Sequence, residues 1–442
     1  MKKLLLIVLG IILILLLGLG VFYFFGGKEK ASNFFNEGAD FGSFFDTNTT
    51  SQNDTEFTIP ESEPIPTVPA NYKAPVLRQI SFEPVSGYTY FATTSTSTRT
   101  TITEEQANLT EDFLATSTVV RFQERATGHI YDVFEFTAMI QKVSNITIQK
   151  IYNTVFTASR NIFLYQIPTA GNEQIKTVFA QNIPAYTVTN ASSTTEFPQS
   201  IEQKDISNIL NNLVYLKENG TIAYSINTLT GADVYTSDPE RLSEKKVTSL
   251  PFSEFTLEKV NSNTLLLQSK ASASTIGYAY TLNISTGSLT KFAGNTRGLL
   301  TKISPDFNTF LSSESSTSRP ILRAHDVKTN TVRRVGIDTI PEKCTFSQVN
   351  SFELYCFASL QYKSATYPDD WYKGKVFNVE DLYKINLETG VVDAVYIFGE
   401  DSNIDFDATK VEVTNNDNFI LFVNKYDLTL WSLNLSELNN QF

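Results

Sequence analysis

Five segments of the sequence share one short pattern, and this repetition is the strongest constraint on the fold. Each segment has a large residue, a mostly aliphatic residue two positions later, then Asn or Asp, and three of the five end in Thr-Gly. The segments are YSINTLTG (224–231), YTLNISTG (280–287), RAHDVKTN (323–330), YKINLETG (383–390) and WSLNLSEL (431–438). Alternate residues bury one strand face, the Asn or Asp side chain bonds to nearby backbone, and Gly supplies the positive φ of a tight turn. The pattern predicts a β-hairpin at each copy.

The copies recur at the spacing of a repeat protein. Their Asn or Asp positions, 227, 283, 326, 386 and 434, are separated by 56, 43, 60 and 48 residues. Two looser copies around Gly128 and Gly171 bring the total to seven, and a second hairpin is predicted before each anchor, such as SNILNNLVYL (207–216). Repeats of this length with four strands each are typical of propeller blades. We expect an all-β, seven-bladed β-propeller of four-stranded antiparallel blades over residues 75–442, with six or eight blades as alternatives.

The two ends of the repeat region complement each other. The last unit lacks an outer strand, whereas the segment VLRQISF (76–82) is a predicted strand without a unit of its own. Pairing these two would join the ends of the ring and remove exposed sheet edges. We therefore expect residues 76–82 to supply the outer strand of the last blade.

One blade carries a recognisable family motif. The segment ISPDFNTFLSSES, followed by ILRAHDVKTNTVRRVG, resembles the TolB-like, WD-repeat-like bacterial β-propellers, whose blades carry Ser-Pro-Asp-Gly. Ser304, Pro305 and Asp306 match that motif, and Phe307 stands where the family has Gly. The layout of residues 75–440 is also similar to uncharacterised membrane-anchored bacterial propeller proteins. The resemblance implies a propeller fold and a location in the cell envelope, and it implies no known activity.

The N-terminus reads as a membrane anchor. Residues 4–25 contain no charged residue, and as a helix of ~1.5 Å per residue they would span a hydrocarbon core of ~30 Å. The alternative is a long signal peptide that is removed. Lys2 and Lys3 before the run weakly favour a cytoplasmic N-terminus. We predict a transmembrane anchor over residues 1–25, a disordered Ser/Thr/Asn/Pro-rich linker over 26–74 and an extracytoplasmic propeller over 75–442, in a single-pass protein of the cell membrane.

The composition excludes several function classes. With 35 Lys and Arg against 47 Asp and Glu, the net charge is −12, which argues against nucleic-acid binding. Two His and two Cys are too few for the usual zinc sites or His-dependent nucleophile chemistry. The sequence also lacks G-x-S-x-G, P-loop and H-E-x-x-H motifs. We therefore expect no cofactor, no metal and no catalytic residue, and the protein is predicted not to be an enzyme.

The two cysteines lie on the arms of one predicted hairpin, CTFSQVNSFELYC. A turn centred at residue 350 places Cys344 directly opposite Cys356, at a Cβ separation of ~4.5–5.5 Å. Outside the cytoplasm such a pair can oxidise. We predict a structural disulfide, and the alternative is a pair of reduced thiols in the sheet. The spacing is not the Cys-x-x-Cys of a redox-active pair.

The first choice for a ligand site is the insertion YPDDWYKG (367–374). Asp369, Asp370, Trp371 and Tyr372 place two carboxylates beside aromatic faces, which suits a cation, a sugar or a basic peptide. The alternative is a loop that Trp371 packs onto its own blade.

Three further Asp residues and one His are predicted to have structural roles. Asp401, Asp405 and Asp407 lack the Gly of a calcium loop, so they are predicted to form a solvated strand edge. His325 is predicted to be a packed or partly exposed strand residue. The best helix candidate in the repeat region is the short segment from Glu104 to Leu114.

These features predict a binding or scaffolding module of the bacterial envelope. Loops at one face of a propeller converge around a channel while the blades hold them rigidly. The partners would be the cell membrane, through residues 4–25, and an unidentified envelope protein or glycan. The alternative is a lyase or hydrolase that acts on envelope glycan with acidic residues in the channel. A channel lined by apolar or uncharged residues would eliminate that alternative.

Overall fold

A computed structural model describes the folded part of the chain. The described residues are 75–101, 109–135, 140–144, 147–157, 162–168, 175–183, 200–206, 209–216, 220–316, 319–362, 366–402 and 404–439. The predicted anchor (1–25) and linker (26–74) lie outside these residues. Among the described helices, none is long and apolar enough to cross a membrane.

The described strands form seven antiparallel sheets of four strands each, which confirms the predicted seven-bladed propeller. The first strand, β1 (Leu77–Gln79), belongs to the last blade. Blade 1 contains β2 (Val85–Thr101), β3 (Leu109–Glu124), β4 (Ile130–Phe134) and β5 (Ile140–Lys142). Blade 2 contains β6 (Asn153–Phe156), β7 (Ile162–Pro168), β8 (Ile175–Ile183) and β9 (Ser200–Ile206). Blade 3 contains β10 (Asn211–Tyr215), β11 (Ile222–Thr228), β12 (Gly231–Ser237) and β13 (Lys245–Leu250).

The remaining strands build blades 4–7 in the same order from the centre outwards. They are β14 (Phe255–Asn261), β15 (Thr264–Ser269), β16 (Ile276–Asn283), β17 (Leu289–Arg297); β18 (Thr301–Ile303), β19 (Thr309–Ser315), β20 (Pro320–Asp326), β21 (Thr331–Arg334); β22 (Cys344–Phe346), β23 (Glu353–Ala358), β24 (Asp381–Asn386), β25 (Val392–Tyr396); β26 (Ala408–Val413), β27 (Phe419–Asn424) and β28 (Leu430–Asn434). Three short helices, α1 (Asp369–Tyr372), α2 (Phe398–Asp401) and α3 (Leu435–Asn439), and a 3-10 turn at Pro341–Lys343 lie in the connections.

The ring closes through β1, as the sequence predicts. β1 pairs antiparallel with β28, with Leu77 opposite Leu433 and Gln79 opposite Trp431. The backbone N–H of Ile80 then donates to the carbonyl of Leu430 at 2.8 Å. The outer strand of blade 7 therefore comes from the beginning of the propeller, and this pairing covers an edge that β28 would otherwise expose.

The repeated Asn or Asp starts the turn after the third strand in blades 4–6. The side chain of Asn283 accepts from the backbone N–H of Thr286 at 3.0 Å, and Asp326 accepts from Thr329 at 2.8 Å. Asn386 accepts from the N–H groups of the two residues that begin its turn, and Gly390 has a φ of 79°. The turn chemistry predicted for these copies is confirmed.

In blades 1–3 the predicted alignment is wrong by one strand. Asn227 and Gly231 flank the turn between the second and third strands, β11 and β12, and Gly231 has a nearly extended φ of 159°. Gly128 also lies between a second and a third strand, β3 and β4. The segment around Gly171 lies outside the described residues, but it too joins a second strand, β7, to a third, β8. SNILNNLVYL accordingly contains one strand, β10, and not a hairpin.

The pattern Asn-x-x-Thr-Gly stabilises the turn of any short hairpin. It therefore does not identify which two strands of a blade the turn joins. In blade 7 the predicted hairpin at 431–438 is wrong, because Asn434 ends β28 and its side chain accepts from the backbone N–H of Glu437 in α3. The number of blades was nevertheless predicted correctly, because each blade contributes one copy of the pattern.

The predicted helix between Glu104 and Leu114 is also wrong where the structure describes it. Residues 102–108 lie outside the described residues, and Leu109–Glu124 is strand β3. β2 and β3 pair continuously from Tyr88 opposite Phe122 to Thr101 opposite Leu109. The sequence here is rich in Thr, whose branched Cβ favours strands, and this preference outweighs the short helical pattern.

The core lies between neighbouring blades. Blades 6 and 7 meet through aromatic rings, with Phe357 and Phe422 centroids 4.7 Å apart and Phe406 and Trp431 centroids 4.9 Å apart. All six residues of β27 are buried. Blades 3 and 4 instead meet through a mainly aliphatic cluster. His325 stacks on Phe310 at 4.1 Å, so it is packed in the sheet as predicted.

Candidate functional site

The innermost strands of the seven blades line one central cavity of about 940 Å³. Each blade contributes residues from its first strand, and the insertion that contains α1 contributes Trp371 and Tyr372 at one mouth. The cavity is large enough for a ligand of drug size, since small-molecule sites measure ~300–1,000 Å³. This central channel is the candidate functional site.

The two sides of the channel differ in charge. In the described lining, blades 1–3 contribute only uncharged residues, and we call this side the uncharged half. Blades 4–7 and their connections form the charged half, which contains three Glu and four Lys: Glu258, Glu342, Glu412, Lys259, Lys302, Lys410 and Lys425. Only a channel lined by apolar or uncharged residues would have eliminated the enzymatic alternative. Because this channel contains charged residues, that alternative is not eliminated.

Tyrosines dominate the uncharged half. Tyr90 donates from its hydroxyl group to the carbonyl of Val413 at 3.2 Å, and the Tyr88 hydroxyl donates to the carbonyl of Lys410. Burial, together with the nearby Glu412 carboxylate, raises the pKa of Tyr88 and raises that of Tyr90 to about 12. Both phenols are therefore protonated at neutral pH, and they fix blade 1 to the first strand of blade 7.

The charged half contains carboxyl groups that resist ionisation. Desolvation in the narrow ring raises the pKa of Glu258, Glu342 and Glu412, although their side chains are exposed to the channel, and the nearby Lys302 ammonium opposes each of these shifts. Tyr372 donates to the Oε1 atom of Glu342 at 2.8 Å. In the described part of the chain, the carboxyl groups of Glu258 and Glu412 accept no hydrogen bond and form no ion pair. They are the free acceptors of the channel.

The ammonium groups of the charged half are tied to backbone and not to carboxylates. Lys302 donates to the carbonyl of Cys344 at 2.7 Å, and Lys410 donates to that of Ser86 at 3.3 Å. Burial lowers the pKa of Lys410 and lowers that of Lys425 to about 8. Among the described residues, no ion pair joins Lys302, Lys410 or Lys425 to a channel carboxylate. An ammonium group has three N–H donors, so each retains capacity for a ligand.

The insertion singled out by the sequence reaches across the channel mouth. Asp369 accepts from the backbone N–H of Ala273 in blade 4 at 2.6 Å, and Asp370 accepts from the hydroxyl group of Thr366 at 2.5 Å. Trp371 is 3% exposed, and Tyr372 is 44% exposed. The structure therefore brings Trp371 and Tyr372 to the channel, whereas Asp369 ties the loop to a neighbouring blade. Trp371 also packs into a buried cluster with Ile340 and Tyr367, so both the ligand site and the alternative of a loop packed down by Trp371 stay predictions.

A buried ionic network fixes Trp371. The indole N–H donates to Asp407 Oδ1 at 2.8 Å, and the same carboxylate forms a 2.5 Å ion pair with Lys343. Lys343 also pairs with Glu380 at 2.6 Å, and all three charged side chains are fully buried. The cation of Lys425 lies 4.0 Å from the centre of the Trp371 ring. This network makes the channel mouth a rigid part of blades 6 and 7.

Asp407 corrects a prediction. The sequence pattern placed it with Asp401 and Asp405 on a solvated strand edge, but its exposed fraction is 0%. Asp405 is exposed as predicted, and the side chain of Asp401 lies outside the described residues. Asp407 lies directly before β26, where the chain enters the centre of the ring, and the Lys343 ammonium and Trp371 compensate its burial. Because Lys343 is far from Asp407 in the sequence, no local pattern indicated that Asp407 would be buried.

The two cysteines are joined and support the channel wall. Cys344 lies opposite Cys356 in the register of β22 and β23, and a disulfide joins their Sγ atoms at 2.06 Å. Both residues are fully buried. Since the Cys344 carbonyl accepts from Lys302, the bridge lies directly behind one ammonium group of the charged half.

A second cavity of about 350 Å³ adjoins the mouth and shares Glu342 and Tyr372 with the channel. In the described residues, no group of three or more His, Cys, Asp or Glu is arranged to hold a metal ion.

Sequence reasoning missed most of the charged half. Glu258, Lys302, Lys410 and Glu412 all lie on first strands of blades, but the sequence alone does not distinguish first strands from the others. The available signal was a charged residue within a short apolar strand, as in VEV at 411–413.

Comparisons with known proteins give only distant similarities. No protein-family model and no curated protein matches the sequence. Similar solved structures include an oligogalacturonate lyase from Vibrio parahaemolyticus, with TM-score 0.44, 10% identity and coverage of 72% of this chain and 86% of that one. A putative 6-phosphogluconolactonase from Bacteroides fragilis has TM-score 0.41, 11% identity and coverage of 68% and 85%. TolB from Acinetobacter baumannii has TM-score 0.33, 10% identity and coverage of 78% and 79%.

These scores and identities are too low to transfer a site or an activity. The propeller part of the family resemblance is confirmed by the strand order. Its WD-repeat-like and membrane-anchored parts stay predictions.

Proposed function

We propose that this protein is a binding module of the bacterial cell envelope that holds a ligand in the central channel of its propeller. The observation that carries the proposal is a preformed cavity in which Glu258, Glu412 and Lys302 retain unused bonding capacity. Glu258 and Glu412 are exposed to the channel and Lys302 is half-buried, so a ligand that enters can pair with these groups and gain affinity.

The rigidity of the walls supports binding. Most of the lining residues lie on the first strands of the blades, and Trp371 at the mouth is fixed by Asp407. A ligand that enters therefore orders few side chains, which limits the entropic cost of binding.

The proposed location of the propeller is the outer surface of the cell membrane, with residues 4–25 as a single transmembrane helix. It is supported by the uncharged length of that segment and by the Cys344–Cys356 disulfide, which is stable only outside reducing compartments. Protease added to intact spheroplasts is expected to remove the propeller, and full protection would contradict this topology.

Binding in the channel is tested with the full-length protein in detergent. It is dialysed against the low-molecular-weight fraction of the envelope, and retained compounds are identified by mass spectrometry. Glu258→Trp fills the charged half and is expected to abolish retention, whereas Thr290→Trp, on the exposed outer strand of blade 4, is the matched control. Equal retention by both variants, or retention of nothing by the unmodified protein, would refute the proposal.

The second candidate function is a lyase or hydrolase acting on envelope glycan. It is favoured by the presence of three carboxyl groups of raised pKa, Glu258, Glu342 and Glu412, in one cavity, because glycan cleavage uses a pair of carboxyl groups of which one acts as a general acid. Incubation with isolated envelope glycan would produce new reducing ends, and a lyase would also create a carbon–carbon double bond. Loss of both products in Glu258→Gln, with normal folding, would favour this candidate over binding alone.

A further inference from the structure

We propose that the channel ligand is a zwitterionic short peptide, with a free ammonium group, a free carboxylate group and apolar side chains. This inference rests on the proposed function, because it names the class of ligand that the same channel takes.

The channel contains both carboxyl and ammonium groups, and among the described residues no ion pair joins Glu258 or Glu412 to a channel lysine. The carboxyl groups of Glu258 and Glu412 have no hydrogen-bonding or ionic partner among the described residues. The ammonium group of Lys302 has one partner, the carbonyl of Cys344. Opposite charges in a protein site normally form ion pairs with each other. Among the described residues, Lys302 lies near enough to lower the pKa of Glu258 and Glu412 but forms no ion pair with either, so a ligand with both signs can pair with all three.

The mixed charges of the lining disfavour ligands that carry only one sign of charge. An anionic glycan or a phosphate would face Glu258, Glu342 and Glu412, whereas a polyamine would face four ammonium groups. Like charges placed together oppose binding in a recognition site, so each of these classes of ligand meets repulsion from part of the lining. A zwitterion meets an attractive group for each of its own.

A further argument concerns the opposite wall. The uncharged half presents Val155, Leu213 and Val214 together with three tyrosines. Apolar and aromatic surface of this kind accepts aliphatic and aromatic side chains and gives little affinity for a strongly charged chain. A peptide with apolar side chains would place those side chains on blades 1–3 and its two termini on blades 4–7. The cavity of about 940 Å³ is larger than a single amino acid needs.

The assignment of termini follows from the free groups. The ammonium group of the peptide would donate to the carboxylates of Glu258 and Glu412, which become more acidic when a cation arrives. The carboxylate of the peptide would accept from the unused N–H donors of Lys302 and Lys410. No covalent step is involved.

The test uses the full-length protein in detergent and a mixture of unmodified tripeptides built from leucine, valine and phenylalanine. The same mixture with acetylated amino ends, the same mixture with amidated carboxyl ends, and N-acetylchitotriose are measured in parallel by equilibrium dialysis. The unmodified tripeptides are expected to bind, and either blocked mixture is expected to bind roughly tenfold or more weakly, because a buried charge loses its partner.

Two variants locate the termini. Glu258→Gln is expected to remove most of the preference for a free amino end, and Lys302→Met to remove most of the preference for a free carboxyl end. Glu388→Gln and Lys328→Met, on exposed turns outside the channel, are the controls and should bind as the unmodified protein does.

The failures of the inference and of the proposed function are distinguishable. Equal binding of blocked and free tripeptides, or binding of N-acetylchitotriose alone, would overturn the zwitterionic ligand and leave a channel-binding protein. Binding of none of these probes would also overturn it, and the envelope dialysis then decides the proposed function separately.

Discussion

Blades 1–3 and blades 4–7 are built on the same four-stranded plan, yet they differ in two respects. In blades 1–3 the recognised turn joins the second and third strands, whereas in blades 4–6 it joins the third and fourth. Blades 1–3 also contribute no charged residue to the described channel lining, while blades 4–7 contribute seven. The scaffold is thus uniform, and the chemistry is concentrated on one side of the ring.

The difference shows that strand pairing and function are encoded at separate positions. Pairing depends on backbone hydrogen bonds and on buried alternate residues, which every blade supplies. The character of the channel depends on a few first-strand side chains, such as Glu258 and Lys302, which the fold tolerates because they face water in the cavity. The following predictions test how far the two groups of blades differ, beginning with the largest effect.

The largest effect is expected from Asp407→Ala in the buried network of blades 6 and 7. The change leaves the Lys343 ammonium with one fewer buried partner and releases the Trp371 indole. Breaking a buried pair costs ~3–5 kcal/mol of unfolding free energy, measured by denaturant titration. Lys384→Met, which breaks the partly exposed pair with Glu353, is the control in the same blade and should cost ~0–1 kcal/mol. Equal costs for the two variants would contradict a special role for the network.

The next effect concerns the seam where blade 1 meets blade 7. Burial raises the pKa of Glu135 to about 7, against the opposing effects of Arg78 and a hydrogen bond from Ser432. Because the folded-state pKa is raised, the contribution of this group to stability is present below pH ~4.5 and is lost as the pH rises to ~7, by about 3 kcal/mol. Glu135→Gln should remove this loss. Parallel stability curves for the two proteins from pH 4.5 to 8 would show that the seam does not titrate.

A smaller effect is expected from opening the disulfide behind Lys302. The bridge closes a short loop, with a sequence separation of 12 residues. Replacement of both cysteines by serine should cost about 2 kcal/mol, since short loops gain less from cross-linking than long ones. Added reductant should lower the stability of the unmodified protein and leave that of the double variant unchanged. No response to reductant in either protein would contradict the bridge.

The smallest effect compares the two turn positions directly. Asn386→Ala removes side-chain acceptors for two backbone N–H groups and should cost ~0.5–1.5 kcal/mol. Asn227→Ala changes an exposed residue at a turn of the other kind and should stay within ~0.5 kcal/mol. Similar losses at both sites would mean that the two turns are equivalent after all.

Much of the fold was readable from the sequence because its signals are local. Strand alternation, the repeated Asn-x-x-Thr-Gly pattern and the unmatched segment 76–82 predicted seven blades and the strand pairing of Leu77 with the last blade. The position of each turn within a blade was not readable, because Asn227 and Asn283 sit in nearly identical local sequences.

The candidate site was only partly predictable. Trp371 and Tyr372 stood out as an aromatic insertion, and both lie at the channel. Glu258 and Lys302 come from different blades and meet only when the ring is closed, so no short-range pattern marks them. Asp407 was misassigned for the same reason, since Lys343 lies 64 residues away in the sequence.

The most direct test of the account is a structure of the full-length protein crystallised with an unmodified apolar tripeptide at millimolar concentration. The account predicts density in the channel, with the peptide termini against Glu258 and Lys302 and the side chains against Tyr88 and Leu213. A peptide seated elsewhere on the propeller, or a channel that holds only water under these conditions, would contradict it.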